Sequence, residues 1–375
     1  MEQKKDAVFV ICEYNPLHFG HEYQLALLKE RYETVICIMS GDAVQRGEAA
    51  VYAKRARAEA AIRCGADAVF ELPFPYSCMA APDFAFASVY VALSLCCKSL
   101  AFGAENDASF IFSAADVIAD RGAIEEYRNE NKKLSYPKAV GALMSQKLGA
   151  TAAEDFKKPN NILGAEYIRA ARALGAEMSF EVVRRNQDYQ SSTSIRACDN
   201  MLERIPKAAA EVLSRYPRRS MKNINSALLA RARMLTPESD VYGLTHGDVA
   251  RLSDAAAKCG FYEDAVEAAI SPTMTRSKAR RGLLCALLGI VRSDSDTLPQ
   301  YVRLLALNSR GAGYIAANKK FFTLPVISKP SHAAHLSEGA KGQYERALKA
   351  ESVLALTEES GRVLRTAPKG GIMIF

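Results

Sequence analysis

An apolar run, Ala7-Val8-Phe9-Val10-Ile11-Cys12, leads within two residues into Asn15-Pro16-Leu17-His18-Phe19-Gly20-His21, which opens a stretch of helical spacing. A strand feeding a short turn and then a helix is the repeating unit of a parallel α/β sheet. It delivers the turn to the carboxyl end of that sheet, where such proteins place their ligands. Gly20 lets the backbone pass close to a phosphate, and a helix starting near His21 points its amide dipole at the same anion. Two imidazoles three residues apart can donate to phosphate oxygens that gain charge during transfer. On spacing alone, the same residues also suit a loop histidine and a helix-start histidine with no chemistry.

Three more apolar runs, Val35–Met39, Ala68–Leu72 and Leu100–Gly103, have the length and the β-branched or aromatic content of buried parallel strands. Helical patterns lie between them at His21–Glu33, with Leu25, Leu28 and Tyr32 on one face, and at Tyr52–Cys64. A fifth strand is expected at Ser179–Val183, after a helix from Ile162 to Leu174 that stops at Gly175. This alternation predicts an α/β, doubly wound, Rossmann-like domain with a parallel sheet. Beyond Ile205 the pattern turns helical, at Ser226–Arg233, Asp248–Cys259, Ala279–Val291 and Gln343–Ala355, with prolines between elements. The expected organisation is a catalytic domain over 1–205 and a mostly helical domain over 206–375.

Several classes drop out on composition. The nine cysteines include no C-x-x-C, which argues against a disulfide framework or a zinc site. No apolar run has membrane-spanning length, and the N-terminal residues lack the pattern of a cleavable signal, so a cytoplasmic protein with no membrane partner is expected. Charge is uneven. Residues 201–375 hold 26 Lys+Arg against 16 Asp+Glu, a surplus of +10, whereas residues 1–200 stand at −3. Such asymmetry fits a polyanion bound by the second half, and equally a solvated basic surface.

Further constellations bear on an anion site. Ser191-Ser192-Thr193-Ser194-Ile195-Arg196 follows the fifth strand, and hydroxyls and amides at a helix start, with an arginine one turn in, suit a triphosphate. An ordinary helix cap would look the same. Asn160, in Pro159-Asn160-Asn161-Ile162, can read a base or ribose edge, or can cap a helix. Gly103 ends its strand where a base could lie against bare backbone. In the polar segment Ser40–Glu48, Asp42 could hold magnesium or a substrate group and Arg46 an anion, while Lys54 could reach a phosphate.

Together these blocks resemble the bacterial tRNA(Met) cytidine acetate ligase family of the HIGH-type nucleotidyltransferase superfamily. The likeness runs in order through E-Y-N-P-x-H-x-G-H at Glu13–His21, S-G-D-x-V-Q-R-G-E at Ser40–Glu48, K-x-A-R-A-E at Lys54–Glu59 and G-A-D-x-V-x-E-L-P at Gly65–Pro73. F-G-x-E at Phe102–Glu105, P-N-N-I-L-G at Pro159–Gly164 and S-x-T-x-I-R at Ser191–Arg196 follow. The second half matches in length and helical character, with an echo at Leu304–Gly313. One departure is Val183–Tyr189, where a glycine-containing turn is missing and Arg184 takes the family's arginine position by its distance from Tyr189.

The resemblance implies activation of acetate by ATP, with magnesium, to acetyl-adenylate, then transfer to N4 of the wobble cytidine of elongator tRNA(Met). It implies catalytic roles for His18, His21, Asp42 and Lys54. It also implies nucleotide contacts from Ile11, Cys12, Glu13, Tyr14, Asn15, Pro16, Leu17, His18, Phe19, Gly20, His21, Glu22, Tyr23 and Gln24. Gly103, Asn160, Arg184, Ser192, Thr193 and Arg196 complete the expected site. Arg215, Arg218, Arg219, Lys222, Arg276, Lys278, Arg280 and Arg281 are expected to hold the tRNA backbone. Two rivals stand beside this reading: a small-molecule adenylyltransferase, and a non-catalytic RNA-binding protein on the same scaffold.

Overall fold

Val8, Phe9 and Val10 are fully or almost fully buried, because the strand that carries them runs through the middle of the sheet with both faces covered. Phe9 and Ile11 enter one apolar cluster, and Val8 and Val10 enter another, as the two-residue period of a strand requires. The structure is a computed structural model, and it describes residues 4–131, 134, 136–186, 188–359 and 371–375. Gln187, in the departing loop, lies outside the described residues.

The strands are β1 (Lys5–Cys12), β2 (Tyr32–Ser40), β3 (Ala43–Val44), β4 (Glu48–Ala49), β5 (Ala68–Leu72), β6 (Ser99–Ala104), β7 (Ser179–Arg184), β8 (Val302–Leu307), β9 (Val326–Ile327) and β10 (Met373–Ile374). The main sheet has the order β10-β8-β5-β2-β1-β6-β7, with β9 beside β8. From β5 to β7 all pairings are parallel. The chain builds outward from β1 through β2 to β5, then returns to place β6 on the other side of β1. The crevice between the carboxyl ends of β1 and β6 is therefore the topological switch point, where an α/β sheet binds its ligand.

The five expected strands are all present. The first helix begins at Phe19 and ends at Arg31, so Tyr32, expected on its inner face, instead opens β2 opposite Lys5. The β-branched run that follows Tyr32 favours pairing with β1 over another helical turn. The second half is not only helical. β8, a run of Val, Leu and Ala broken by Arg303, pairs antiparallel with β5 and covers what would be an open apolar edge. One apolar cluster runs from Phe9 and Phe70 through Leu283 and Leu304 to Leu354, so residues on both sides of position 205 share a core.

Arg57 shows how a charged side chain can organise the sheet's carboxyl end. It is about 1% exposed, and its guanidinium donates to the carbonyls of Tyr52 (3.0 Å), Glu13 (2.5 Å), Ser40 (3.1 Å) and Gly41. One cation thus satisfies the loops leaving both β1 and β2, where no neighbouring strand could.

Candidate active site

At the switch point lies a cleft of about 270 Å³. His18 caps the helix Phe19–Arg31: its Nδ1 accepts the Gly20 N–H at 3.1 Å, and the His18 N–H donates to His21 Nδ1 at 3.3 Å. The two rings stack at 3.8 Å between centroids. Because each Nδ1 accepts from the backbone, each neutral ring carries its proton on Nε2 and can donate there. Burial, with Arg185 adding repulsion, lowers His18 to about 4. Burial, then His18 and Arg185, lowers His21 well below the usual imidazole value. Both rings are uncharged at neutral pH, which is what lets them stack, and both remain donors. Gly20 keeps this approach open, since a Cβ would stand 3.1 Å from His18 Cε1 and the ring would have to give by a few tenths of an ångström.

The serine-threonine helix, Ser192–Arg196, faces this pair across the cleft. Ser191 caps it, and Thr193 Oγ1 accepts from Arg46 at 2.8 Å. Arg196 donates to the Asn15 carbonyl at 2.6 Å and pairs with Glu48 at 3.2 Å, so it braces the loop after β1 while lining the cleft. Asn15 is likewise a brace, its Oδ1 accepting the Val51 N–H at 2.7 Å.

Further along, Gly103, Arg184 and Asn160 line the cleft beyond β6 and β7, with Asn160 held by Glu105 at 2.8 Å. Its neighbour Asn161 is wholly buried and clamps the turn at 105–106 through both ends of its amide.

Of the expected site residues, the structure gathers Ile11, Cys12, Glu13, Tyr14, Asn15, His18, Gly20, His21, Tyr23, Gln24, Gly103, Asn160, Arg184, Ser192, Thr193 and Arg196 around this one cleft. Pro16, Leu17, Phe19 and Glu22 do not line it. Leu17 is buried in the core and Phe19 points outward, 43% exposed.

Asp42 and Lys54 also lie outside the lining. Asp42 accepts the Lys54 N–H and an Arg219 guanidinium bond, both at 2.8 Å, and so caps the helix Lys54–Arg63. Lys54 Nζ is buried between Glu71 (2.6 Å) and Glu351. Both stand in buried ion pairs, and the partners Arg219 and Glu351 lie too far along the chain for the sequence to announce them. Arg46, expected to meet an anion, also lines the cleft, and the lining residues missed include Arg185, Glu105, Gln45 and Tyr189. Arg185, one place from the expected Arg184, is the arginine whose charge acts on both histidines.

The basic residues of the second half are mostly occupied. Arg215 pairs with Glu59, Arg276 with Glu267, Lys278 with Asp248, and Arg280 with Glu263. Arg218 donates to the Arg196 carbonyl at 2.8 Å, Arg219 is buried between Asp42 and Glu358, and Arg281 reaches the Gln45 carbonyl. Of the eight expected to meet phosphate, Lys222 is exposed and has no side-chain partner among the described residues. Arg215, Arg218, Arg219 and Arg281 reach residues of the first half, whereas Arg276, Lys278 and Arg280 pair within the second.

Gly47 marks the closest of these contacts. It turns the β3–β4 hairpin at φ +79°, and a Cβ there would stand 2.4 Å from the Arg281 backbone nitrogen in the helix Arg276–Leu288. Gly47→Ala meets both a left-handed backbone penalty of roughly 1–2 kcal/mol and a backbone clash. The expected result is a lower melting temperature and displacement of Gln45 and Arg46 from the cleft. A variant that melts with the wild type would show that the hairpin shifts freely.

Comparison with known proteins agrees with this geometry. The HIGH Nucleotidyl Transferase family matches residues 5–366. The tRNA(Met) cytidine acetate ligase of Syntrophotalea carbinolica is 32% identical over 361 residues, covering 87% of this chain and 85% of that one. The tRNA(Met) cytidine acetate ligase of Bacillus subtilis is 31% identical over 366 residues, 88% of each chain. The crystal structure of Thermotoga maritima TmcAL bound with alpha-thio ATP superposes with a TM-score of 0.90 at 26% identity, over 99% of this chain and 100% of that one. The chain belongs to the HIGH nucleotidyltransferases and, among them, to the tRNA(Met) cytidine acetate ligase family.

Proposed function

We propose that this protein joins acetate to ATP as acetyl-adenylate and passes the acetyl group to N4 of the wobble cytidine of elongator tRNA(Met). The observation that carries the reading is the stacked, uncharged His18–His21 pair at a helix start in the switch-point cleft, in a chain of this family. Acetate is a poor acyl donor until its oxygen bonds the α-phosphorus and pyrophosphate leaves. The Nε2–H groups of the two histidines suit the oxygens that gain charge in that step. Ser192, Thr193 and Arg196 suit the distal phosphates, while Gly103, Asn160 and Arg184 suit the adenosine.

Magnesium would enter on the triphosphate. The described residues offer no cluster of three acidic or metal-ligating side chains, and magnesium with a nucleotide needs only one or two protein ligands. The second half, with its +10 surplus, is proposed to face the tRNA through exposed cations such as Lys222 rather than through the paired arginines. No helix among the described residues is long and apolar enough to cross a membrane, and a tRNA substrate fits a cytoplasmic site of action.

The test is incubation with ATP, radiolabelled acetate and total tRNA, omitting each in turn. Label should enter tRNA as acetylcytidine only in the full mixture, and acetyl-CoA should not replace acetate plus ATP. Acetylcytidine formed from acetyl-CoA alone would overturn the mechanism. Adenylate that forms in the full mixture while no label reaches tRNA would favour the small-molecule adenylyltransferase.

A further inference from the structure

The cleft contains a carboxylate that ought not to suit a polyphosphate. Glu13 follows β1 and lines the same cleft as His18 and His21. Its Oε1 accepts the Gln45 N–H at 2.9 Å, and its own carbonyl is tied to Arg57, so the side chain is held at a fixed angle. Its Oε2 has no hydrogen-bond partner among the described residues and is not among the fully enclosed polar atoms, in a residue that lines the cleft. Arg196, which also lines the cleft, is committed to Asn15 and Glu48.

A free carboxylate oxygen repels phosphate and welcomes a donor. Acetate brings no donor, and on the reading above adenosine lies on the β6–β7 side of the cleft. The reactant that must bring an N–H to the acyl centre is the cytosine amine. Resting on that reading, we propose that Glu13 accepts the N4 proton of the target cytidine during acyl transfer. The N4 lone pair forms a bond to the acetyl carbonyl carbon. The bond from that carbon to the phosphate oxygen breaks, and AMP leaves with its electron pair. The N4 proton passes to Oε2, which afterwards returns it to water.

The surroundings suit such a base. Burial raises the Glu13 carboxyl above its ordinary value, the Gln45 N–H opposes this, Glu48 on β4 adds to it, and Arg196 and Arg57 oppose it. Tyr167, on the helix Pro159–Ala173, also faces the carboxylate. A raised carboxyl is a stronger base than a surface glutamate.

Glu13→Gln keeps the side chain's shape and an acceptor for Gln45, and removes only the base. Two rates should be compared in the full-length protein: acetate-dependent ATP–pyrophosphate exchange, and single-turnover transfer from bound acetyl-adenylate to tRNA. Transfer should fall about 10²-fold further than exchange, the usual worth of a positioned base. The wild-type transfer rate should also show an acid limb that the variant lacks. Should Glu13→Gln melt early, Glu13→Asp serves instead, keeping the acid limb while slowing transfer more than exchange. Equal losses in both rates would assign Glu13 to ATP or its magnesium, and unchanged rates would leave it structural; either result overturns the proposal. A wild type with no acetate-dependent exchange overturns the acetate reading first, and this assignment with it.

Discussion

His21→Ala should lose about 10²–10³ of the rate of acetyl-adenylate formation, the range found when one donor to developing charge is removed. The ring touches His18 by stacking and accepts its N–H, so the substitution also removes half of the reciprocal cap at the start of the helix Phe19–Arg31. A cap costs about 1 kcal/mol, which leaves the fold standing. His21→Asn separates the two effects, because its amide can still accept the His18 N–H but cannot reproduce the imidazole's reach. Pyrophosphate release under saturating acetate and ATP measures the loss, and a melting curve checks the fold. Burial holds both imidazoles neutral far below the usual histidine range, so the wild-type rate should show no ionisation near pH 6.5 from this pair. Turnover within a fewfold of wild type in His21→Ala would reduce the histidine to a capping residue.

What the sequence discloses divides along a physical line. β1, the turn and the helix that follows are adjacent in the chain, and their alternating burial and cap chemistry are local, so His18, Gly20 and His21 are readable from spacing. The same holds for Ser191–Arg196, where the hydroxyls cap their own helix. Asp42 and Lys54 resist such reading because their roles are set by Arg219, Glu71 and Glu351, one of them nearly 300 positions away. A polar cluster before a helix looks the same whether it binds magnesium or a distant arginine. β8 hides for a related reason. Arg303 interrupts its apolar pattern, and only the folded chain shows that Glu71 and Glu351 neutralise that charge. The charge surplus of the second half was real, but composition could not tell an unpaired arginine from one that staples two segments.

Arg219→Ala should destabilise the protein by about 3–5 kcal/mol, the cost of leaving buried opposite charges without their partner. The guanidinium is 2% exposed and bridges Asp42 at 2.8 Å and Glu358 at 3.2 Å. Around it the segments 218–220 and 357–359 pair through their backbones, and the Arg219 N–H donates to Val51 at 2.9 Å. One cation therefore joins the loop after β2, the start of the second half and the end of the helix Glu338–Ala355. Removing all three charges, as Arg219→Met with Asp42→Asn and Glu358→Gln, should recover much of the loss, because the penalty lies in the stranded carboxylates rather than in a cavity. Burial alone would raise the Asp42 carboxyl, but Arg219, Lys54 and Arg57 outweigh it and hold it at about 2. A depressed carboxyl contributes its full stability above its unfolded value of about 4, and loses it as pH falls towards 2. The gap between wild type and Arg219→Ala should therefore be widest at neutral pH and narrow through that acid window. Urea unfolding at neutral pH and near pH 3 measures both. A gap below about 1 kcal/mol, the ordinary worth of an exposed pair, would mean that Arg219 reaches solvent, and would return it to the residues free to meet tRNA.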